Sequence, residues 1–156
     1  MGNRFITDTY NIPTYIHKED KELLKFTKDT SKLFSIDIED PSLDTIDIED
    51  GDIISFGEST LTAISTPGHT WGSICFYSPT EKICLTGDTM FAGNCGRTDL
   101  PEGNNEAMCN SLVKKLATTI CPECTIYAGH GPNSTMQEEL AHNPYLKAET
   151  WLRFNI

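Results

Sequence analysis

Two histidines and one aspartate stand at positions where their side chains could converge on a metal ion. They are His69, Asp88 and His130; each follows a short apolar run and has a glycine beside it. Because glycine lets the backbone turn sharply, the side chain next to it can point toward a shared rim. Imidazole and carboxylate donors suit a divalent transition metal, with zinc the most frequent occupant. The sequence therefore predicts a metal site with three ligands, fewer than a two-metal site needs.

The apolar runs before these residues have the length and alternation of β-strands. The first histidine follows one predicted strand, the aspartate a second and the other histidine a third. Loops at one rim of a sheet can converge, so the order predicts an α/β layered domain with ligands on loops at one end. The predicted strands cover residues 12–16, 53–56, 60–65, 73–77, 82–86 and 125–128.

Helices are predicted where the apolar positions follow the helical period. In the helix predicted from 105 to 118, Met108, Leu112, Val113 and Leu116 form one stripe. The acidic segment 36–52 is predicted to be an exposed connection, and the long polar loop 88–104 to be functional. The other predicted helices cover residues 3–10, 18–26 and 136–142.

Length and charge limit the classes of protein. The chain has 156 residues, which predicts a single domain over 1–156. It carries 12 Lys and Arg against 23 Asp and Glu, a formal charge of −11. Such a surface repels nucleic acid and anionic lipid, and no apolar run approaches the ~20 residues of a membrane span. The N-terminus has no apolar signal core, so we expect a cytoplasmic protein.

Six cysteines in a chain expected to be cytoplasmic are predicted to be reduced thiols. Cys75 and Cys84 lie in apolar runs and are predicted to be buried. Cys121 and Cys124 have the two-residue gap of a zinc knuckle or a redox pair. Because their segment lies between a predicted helix and a strand, we predict an ordinary loop, with structural zinc and redox chemistry as alternatives.

Several further motifs occur in a specific order along the chain. The Arg97 and Asp99 side chains belong to one of them, and Asn143-Pro144-Tyr145 closes the series. Together they resemble the metallo-β-lactamase-fold hydrolases, and within these the small hydroxyacylglutathione hydrolase-like (glyoxalase II-like) branch, over almost the whole chain. The motifs are residues 15–20, 50–52, 66–70, 86–91, 96–101 and 128–132.

This resemblance implies an αββα sandwich with a dinuclear metal site at the edge of two sheets. His69 would be a ligand of the first metal, His130 a ligand of the second, and Asp88 the catalytic carboxylate that bridges both. Arg97 and Asp99 would lie beside the site, supporting the ligands or flanking the substrate. The implied cofactor is zinc, with iron or manganese as alternatives.

The chain departs from the family in one respect. The family's His-x-His-x-Asp-His motif, which supplies four more ligands, is absent, since the four histidines are 17, 69, 130 and 142. We therefore expect an N-terminally truncated fold, reduced metal occupancy, and self-association through exposed sheet edges. His17 and His142 match no ligand and are predicted to be structural or surface residues.

Three functional hypotheses follow. The first is a glyoxalase II-like thioesterase or esterase that uses a metal-bound hydroxide on a small-molecule substrate, in particular a thioester, and is impaired in this chain alone. The second is a persulfide dioxygenase-like enzyme with one iron, because residues 95–99 also resemble the corresponding segment of that branch. The third is a non-catalytic remnant of the fold.

Overall fold

The computed structural model describes residues 3–33 and 45–154, without the side chains of 28–30 and 32–33. Its contacts divide the chain into two compact units, residues 1–48 and 49–156. The single domain over 1–156 stays a prediction. Most of the predicted acidic connection, residues 36–44, lies outside the described residues.

The first unit contains two helices and a pair of short parallel strands. A 3-10 turn at Lys18–Asp20 precedes the second helix, and the Nδ1 atom of His17 accepts a hydrogen bond from the amide of Glu19 at its start. Lys21 forms an ion pair with Asp47. Residues 45–47 of the predicted exposed connection thus form a strand, and Ile48 after them is buried. The elements are α1 (Asn3–Tyr10), β1 (Thr14–Ile16), α2 (Lys21–Leu33) and β2 (Thr45–Asp47).

The second unit is built on a six-stranded mixed sheet. Neighbouring strands are antiparallel except for one central parallel pair, β6 with β9. This parallel pairing brings the ends of two ligand-bearing strands to the same rim. In spatial order the sheet contains β10 (Ser134–Thr135), β9 (Thr125–Ala128), β6 (Ile83–Gly87), β5 (Ile74–Ser78), β4 (Ser59–Ser65) and β3 (Ile53–Phe56). The long loop after β6 carries a small hairpin, β7 (Met90–Phe91) with β8 (Asn94–Cys95).

Helices cover one face of this sheet. The predicted helix from 105 to 118 is continuous, but its middle part, Asn110–Leu116, has π-helical hydrogen bonding. Its stripe residues Met108, Leu112 and Leu116 are fully buried against Ile126 of the sheet and Trp151. Short turns that were not predicted continue the chain after 143. The elements are α3 (Asn105–Cys109), the π segment, α4 (Ala117–Thr119), α5 (Met136–His142), a 3-10 turn Pro144–Leu146, α6 (Ala148–Trp151) and a 3-10 turn Leu152–Phe154.

The six cysteines are free thiols. Cys75 and Cys84 lie in the core, as predicted from their apolar runs. Cys121 and Cys124 close a turn, with the Cys124 amide donating to the Cys121 carbonyl at 3.0 Å. Burial raises the pKa of the Cys124 thiol to about 11, and contact with the Cys121 thiol acts in the same direction.

Among the helices of the described residues, none combines the length and the apolar character that crossing a membrane requires.

Candidate metal centre

The segments that follow β4, β6 and β9 bring His69, Asp88 and His130 next to one another at the rim of the sheet. The Nε2 atom of His69 lies 3.8 Å from Oδ2 of Asp88. The Nε2 atom of His130 lies 3.4 Å from Oδ1 of the same carboxylate. The three residues predicted from sequence are therefore brought together, each imidazole facing a different oxygen of Asp88.

These distances suit two donors of one metal ion better than a direct hydrogen bond. With metal–ligand bonds of about 2.0–2.2 Å, two donors at a tetrahedral ion are about 3.3–3.6 Å apart. The His130–Asp88 distance falls in this range and the His69–Asp88 distance lies just above it. The donor set therefore fits two neighbouring metal positions that share the Asp88 carboxylate.

Each position has two protein donors in this arrangement. Across residues 3–33 and 45–154, no three His, Cys, Asp or Glu side chains surround one point closely enough to hold a metal ion. A complete coordination shell at either position thus needs further donors, from water or from other residues.

The imidazole of His69 is held in the orientation that a metal ligand needs. Its Nδ1 atom lies 2.8 Å from the main-chain carbonyl oxygen of Arg97. Because a carbonyl only accepts hydrogen bonds, Nδ1 carries the proton in this contact and Nε2 presents its lone pair toward Asp88. Such a hydrogen bond to the other ring nitrogen is typical of histidines that bind metals.

Two glycines from other loops, Gly96 and Gly129, are required for close approach to Asp88. A Cβ atom on Gly129 would lie 2.5 Å from Oδ1 of Asp88. A Cβ atom on Gly96 would overlap the Asp88 carbonyl oxygen. Only glycine therefore lets the loop after β9 and the loop after β8 pack directly on this aspartate.

Three buried threonines behind the site were not identified from the sequence. The hydroxyl groups of Thr66 and Thr89 lie 2.9 Å apart, and the Thr86 hydroxyl donates to the Met90 carbonyl at 2.7 Å. All three are at most 1% exposed. The contact between Thr66 and Thr89 joins the segments that carry His69 and Asp88. The sequence signal was their place in the motifs at residues 66–70 and 86–91, which did not single out these hydroxyl groups.

The ligand candidates are accessible from solvent. The side chain of His130 is 76% exposed, that of Asp88 37% and that of His69 20%. The ring of Phe91 packs edge-on against His130, with centroids 5.8 Å apart. The centre is thus an open rim with one apolar wall.

Arg97 and Asp99 lie beside the centre and pair with each other. Nε and Nη2 of Arg97 donate to the two carboxylate oxygens of Asp99 at 2.7 and 2.8 Å. This hydrogen bonding raises the pKa of Arg97 and lowers the pKa of Asp99, so both remain charged at neutral pH. Both side chains are exposed, and the contact of Arg97 with a predicted ligand runs through its main chain.

A pocket of about 320 Å³ adjoins this segment. It combines the ion pair with aromatic rings, among them Tyr145, Trp151 and Phe154. Burial raises the pKa of Cys95, which also lines it, to about 12. This thiol stays protonated at neutral pH and is not a ready nucleophile. His142 is an exposed residue at the end of α5.

Comparison with known proteins supports the family. The model of the metallo-beta-lactamase superfamily matches residues 1–133. YqgX of Bacillus subtilis, named a probable metallo-hydrolase, is 33% identical over 144 residues, which are 90% of this chain and 67% of that protein. The hydroxyacylglutathione hydrolase GloC of Haemophilus influenzae is 34% identical over 102 residues, 65% of this chain and 48% of that protein.

Solved structures show the same fold. TTHA1623 in a di-iron-bound form has a TM-score of 0.83 at 30% identity, covering 93% of this chain and 70% of that one. ETHE1 from Myxococcus xanthus has a TM-score of 0.63 at 28% identity, covering 70% of this chain and 51% of that one. The chain thus spans about half to 70% of the length of these relatives.

The fold class predicted from the motifs, a mixed α/β domain of the metallo-β-lactamase fold, is confirmed by these structures. With most of its length matched by the family model and His69, Asp88 and His130 gathered at the rim of its sheet, the chain belongs to the metallo-beta-lactamase superfamily of metal-binding hydrolases.

Proposed function

We propose that His69, Asp88 and His130 are metal ligands of a hydrolase that cleaves a small thioester or ester. The observation that carries the proposal is the position of Asp88, whose two carboxylate oxygens face two different imidazoles at 3.4 and 3.8 Å. A carboxylate placed between two imidazoles in this way suits a bridge between two cations.

In this proposal the described residues hold the metal ions and do not themselves supply the nucleophile. Asp88 would set the separation of the two cations, and His69 and His130 would each orient one. When bound, such cations lower the pKa of a coordinated water toward ~7 and polarise the carbonyl of the substrate. The neutral Cys95 thiol agrees with attack by water rather than by cysteine.

Zinc is the cofactor we propose, because imidazole and carboxylate donors suit it. The di-iron form of TTHA1623 makes iron the main alternative, and these donors are compatible with manganese as well.

The thioester class comes from the likeness to GloC, which is named a hydroxyacylglutathione hydrolase. We propose no protein or nucleic-acid partner for the reaction itself, and we keep the cytoplasm as the proposed compartment.

The test measures metal content and esterase activity together. Chelator-treated chain is titrated with Zn²⁺ or Co²⁺ and assayed with an S-acyl glutathione and a nitrophenyl ester. The same assays are run on the chain extended by an N-terminal segment that carries the family's His-x-His-x-Asp-His motif, because this motif is absent from the sequence. We expect fewer than two metal equivalents and weak activity for the chain alone, and higher values for the extended protein.

Asp88→Asn should abolish activity in the extended protein, whereas Asp8→Asn, the same change on the exposed α1, should not. Retention of both metals and full activity by Asp88→Asn would remove Asp88 from the bridging role. If the chain alone held two tightly bound metal ions, the expected dependence on further ligands would be wrong.

A second candidate is a persulfide dioxygenase with one iron. It is supported by the likeness to ETHE1 and by the direct contact of residues 95–99 with His69 through the Arg97 carbonyl. Iron content near one per chain, with oxygen uptake that depends on a glutathione persulfide, would favour it. Hydrolysis of the thioester without oxygen uptake would favour the first candidate.

A further inference from the structure

Glu139 is a buried carboxylate outside the metal centre, with a relative exposure of 3%. Its Oε2 atom accepts hydrogen bonds from the Gly93 amide at 2.9 Å and from Nδ2 of Asn143 at 2.7 Å. Its Oε1 atom accepts from the Ser134 hydroxyl at 2.5 Å. All three of these donors are neutral, and a buried carboxylate held by neutral donors is costly unless its acceptor positions are satisfied.

Two of the three donors, Gly93 and Ser134, come from two different segments next to the metal centre. Gly93 lies in the loop that begins with Asp88 and contributes the Arg97 carbonyl to His69. Ser134 lies four residues after His130, at the start of β10, the strand that ends the loop after β9. One carboxylate therefore joins the loop that carries the bridging ligand candidate to the loop that carries the second histidine.

Asn143 adds hydrogen bonds to the loop that carries Asp88. It is fully buried, and its Nδ2 atom also contacts the carbonyl oxygens of Phe91 and Asn94 at 3.3 and 3.0 Å. These carbonyls belong to the β7–β8 hairpin, whose next residues reach Gly96 and Arg97. Glu139 and Asn143 thus hold the hairpin in place through hydrogen bonds to its main chain, while its residue Phe91 packs against the imidazole of His130.

We propose that Glu139 is a positioning residue that fixes the distance between Asp88 and His130. It touches neither, and acts through Gly93 on one side and Ser134 on the other. The inference rests on the proposed metal site for its consequence, since the two ligands must stay at metal-bridging distance. The mechanical link between the loops is measurable without any metal.

The experiment compares Glu139→Gln with Glu139→Met. In Glu139→Gln the side-chain carbonyl can still accept from Gly93 and Asn143, while its amide donates to the Ser134 oxygen. Glu139→Met has similar length and loses all three hydrogen bonds. Glu123→Gln, the charge-neutralising change on an exposed turn, is the control.

Amide hydrogen exchange of the metal-free chain is the first measurement. We expect Glu139→Met to raise exchange of the Gly93 amide and of residues 129–134 together, about tenfold or more, while Glu139→Gln and the control stay near wild type. Faster exchange at only one of the two loops, or at neither, would overturn the proposal. If Glu139→Met does not fold, Ser134→Ala removes the link on one side and should raise exchange in residues 129–134.

Cobalt titration is the second measurement, with the visible absorption of Co²⁺ as the signal. We expect Glu139→Met to weaken cobalt binding on the order of tenfold and Glu139→Gln to restore it. Unchanged affinity and spectrum in Glu139→Met would overturn the positioning role. If wild type binds no cobalt in the chain or its extended form, the proposed function fails, while the exchange result still decides whether the two loops are coupled.

Discussion

The imidazole of His69 is oriented by the main chain of Arg97, not by its side chain. The Nδ1 atom of the histidine lies 2.8 Å from the Arg97 carbonyl oxygen, while the guanidinium pairs with Asp99. Two functions are therefore separable at one residue: the backbone orients a ligand candidate, and the exposed side chain faces solvent beside the centre.

Removing the Arg97 side chain should leave metal binding intact. In Arg97→Ala the carbonyl still accepts from His69, so we expect the metal dissociation constant to stay within about threefold of wild type. For an anionic thioester, loss of the guanidinium should raise KM several-fold more than it lowers kcat, because it removes binding common to substrate and transition state. Metal titration and steady-state kinetics on the extended protein check both parts. A large loss of metal affinity would show that the side chain, too, supports the site.

Gly129→Ala should damage the metal centre while preserving the fold. The added Cβ would lie 2.5 Å from Oδ1 of Asp88, so the carboxylate must move away from the position that faces His130. We expect metal affinity to fall by at least about tenfold, as for loss of a residue that orients a ligand. Thermal unfolding and cobalt titration together separate the local effect from global destabilisation.

The control for this change is Gly57→Ala in the β3–β4 turn. Gly57 has a φ of +58° and open space around its Cβ position. Alanine there should destabilise the protein by about 1–2 kcal/mol through backbone strain, without affecting metal binding. Equal losses of metal affinity in both variants would mean that the Gly129 effect is not local.

Where local pattern decided the structure, prediction from sequence succeeded. The strand at 125–128 and the helix at 136–142 have the predicted bounds, the helix because Thr135 and Glu138 form a capping box at its start. The convergence of the three ligand candidates also followed from the order of strands and glycines. The metal-binding roles of these residues stay predictions until metal is measured.

Features set by distant contacts were not predictable. The π-helical segment Asn110–Leu116 packs against the loop that carries His69, where the Ser111 hydroxyl donates to the Pro67 carbonyl at 2.7 Å. The partners of Glu139 include Gly93, 46 residues away in the chain. No spacing rule relates such residues, so only the folded chain reveals them.

Asp50 should make stability depend on pH in the acid range. Partial burial raises its pKa, but hydrogen bonds from Nζ of Lys115 at 2.8 Å and from the Ser65 amide at 2.7 Å outweigh this, so the pKa is lowered. Because the folded-state pKa is below the unfolded value of about 3.9, the ionised carboxylate stabilises the fold above about pH 4. This contribution is lost as the pH falls through the folded-state pKa.

Asp50→Asn should therefore reduce the free energy of unfolding at pH 7, by less than about 1 kcal/mol because the pair is largely exposed. The difference from wild type should shrink below about pH 4 as the wild-type carboxylate takes up its proton. Urea unfolding at pH 7, 4 and 3 measures it, with Glu58→Gln on the exposed β3–β4 turn as control. A difference that is constant across this range would assign the effect to packing rather than to charge.

The face of the six-stranded sheet opposite the helices carries an apolar row that is partly exposed. Phe76, Leu85 and Tyr127 are direct cross-strand neighbours in the central strands, and the last two are 36% and 41% exposed. Residues at the centre of a sheet with so much exposed apolar surface favour association. The outermost strand β3 adds exposed Ile53 and Phe56 at one edge.

We therefore propose that the chain by itself associates through this sheet face, and that Leu85→Lys with Tyr127→Lys shifts it toward monomer. Two like charges on the row oppose burial against a second apolar surface, because each ammonium would lose its hydration. Sedimentation velocity across a micromolar concentration series measures the effect, with Leu152→Lys, an exposed apolar residue near the C-terminal end, as the matched control. A wild-type chain that is monomeric throughout the series would contradict the proposal. If the double variant still associates and the control does not, the contact lies on another surface.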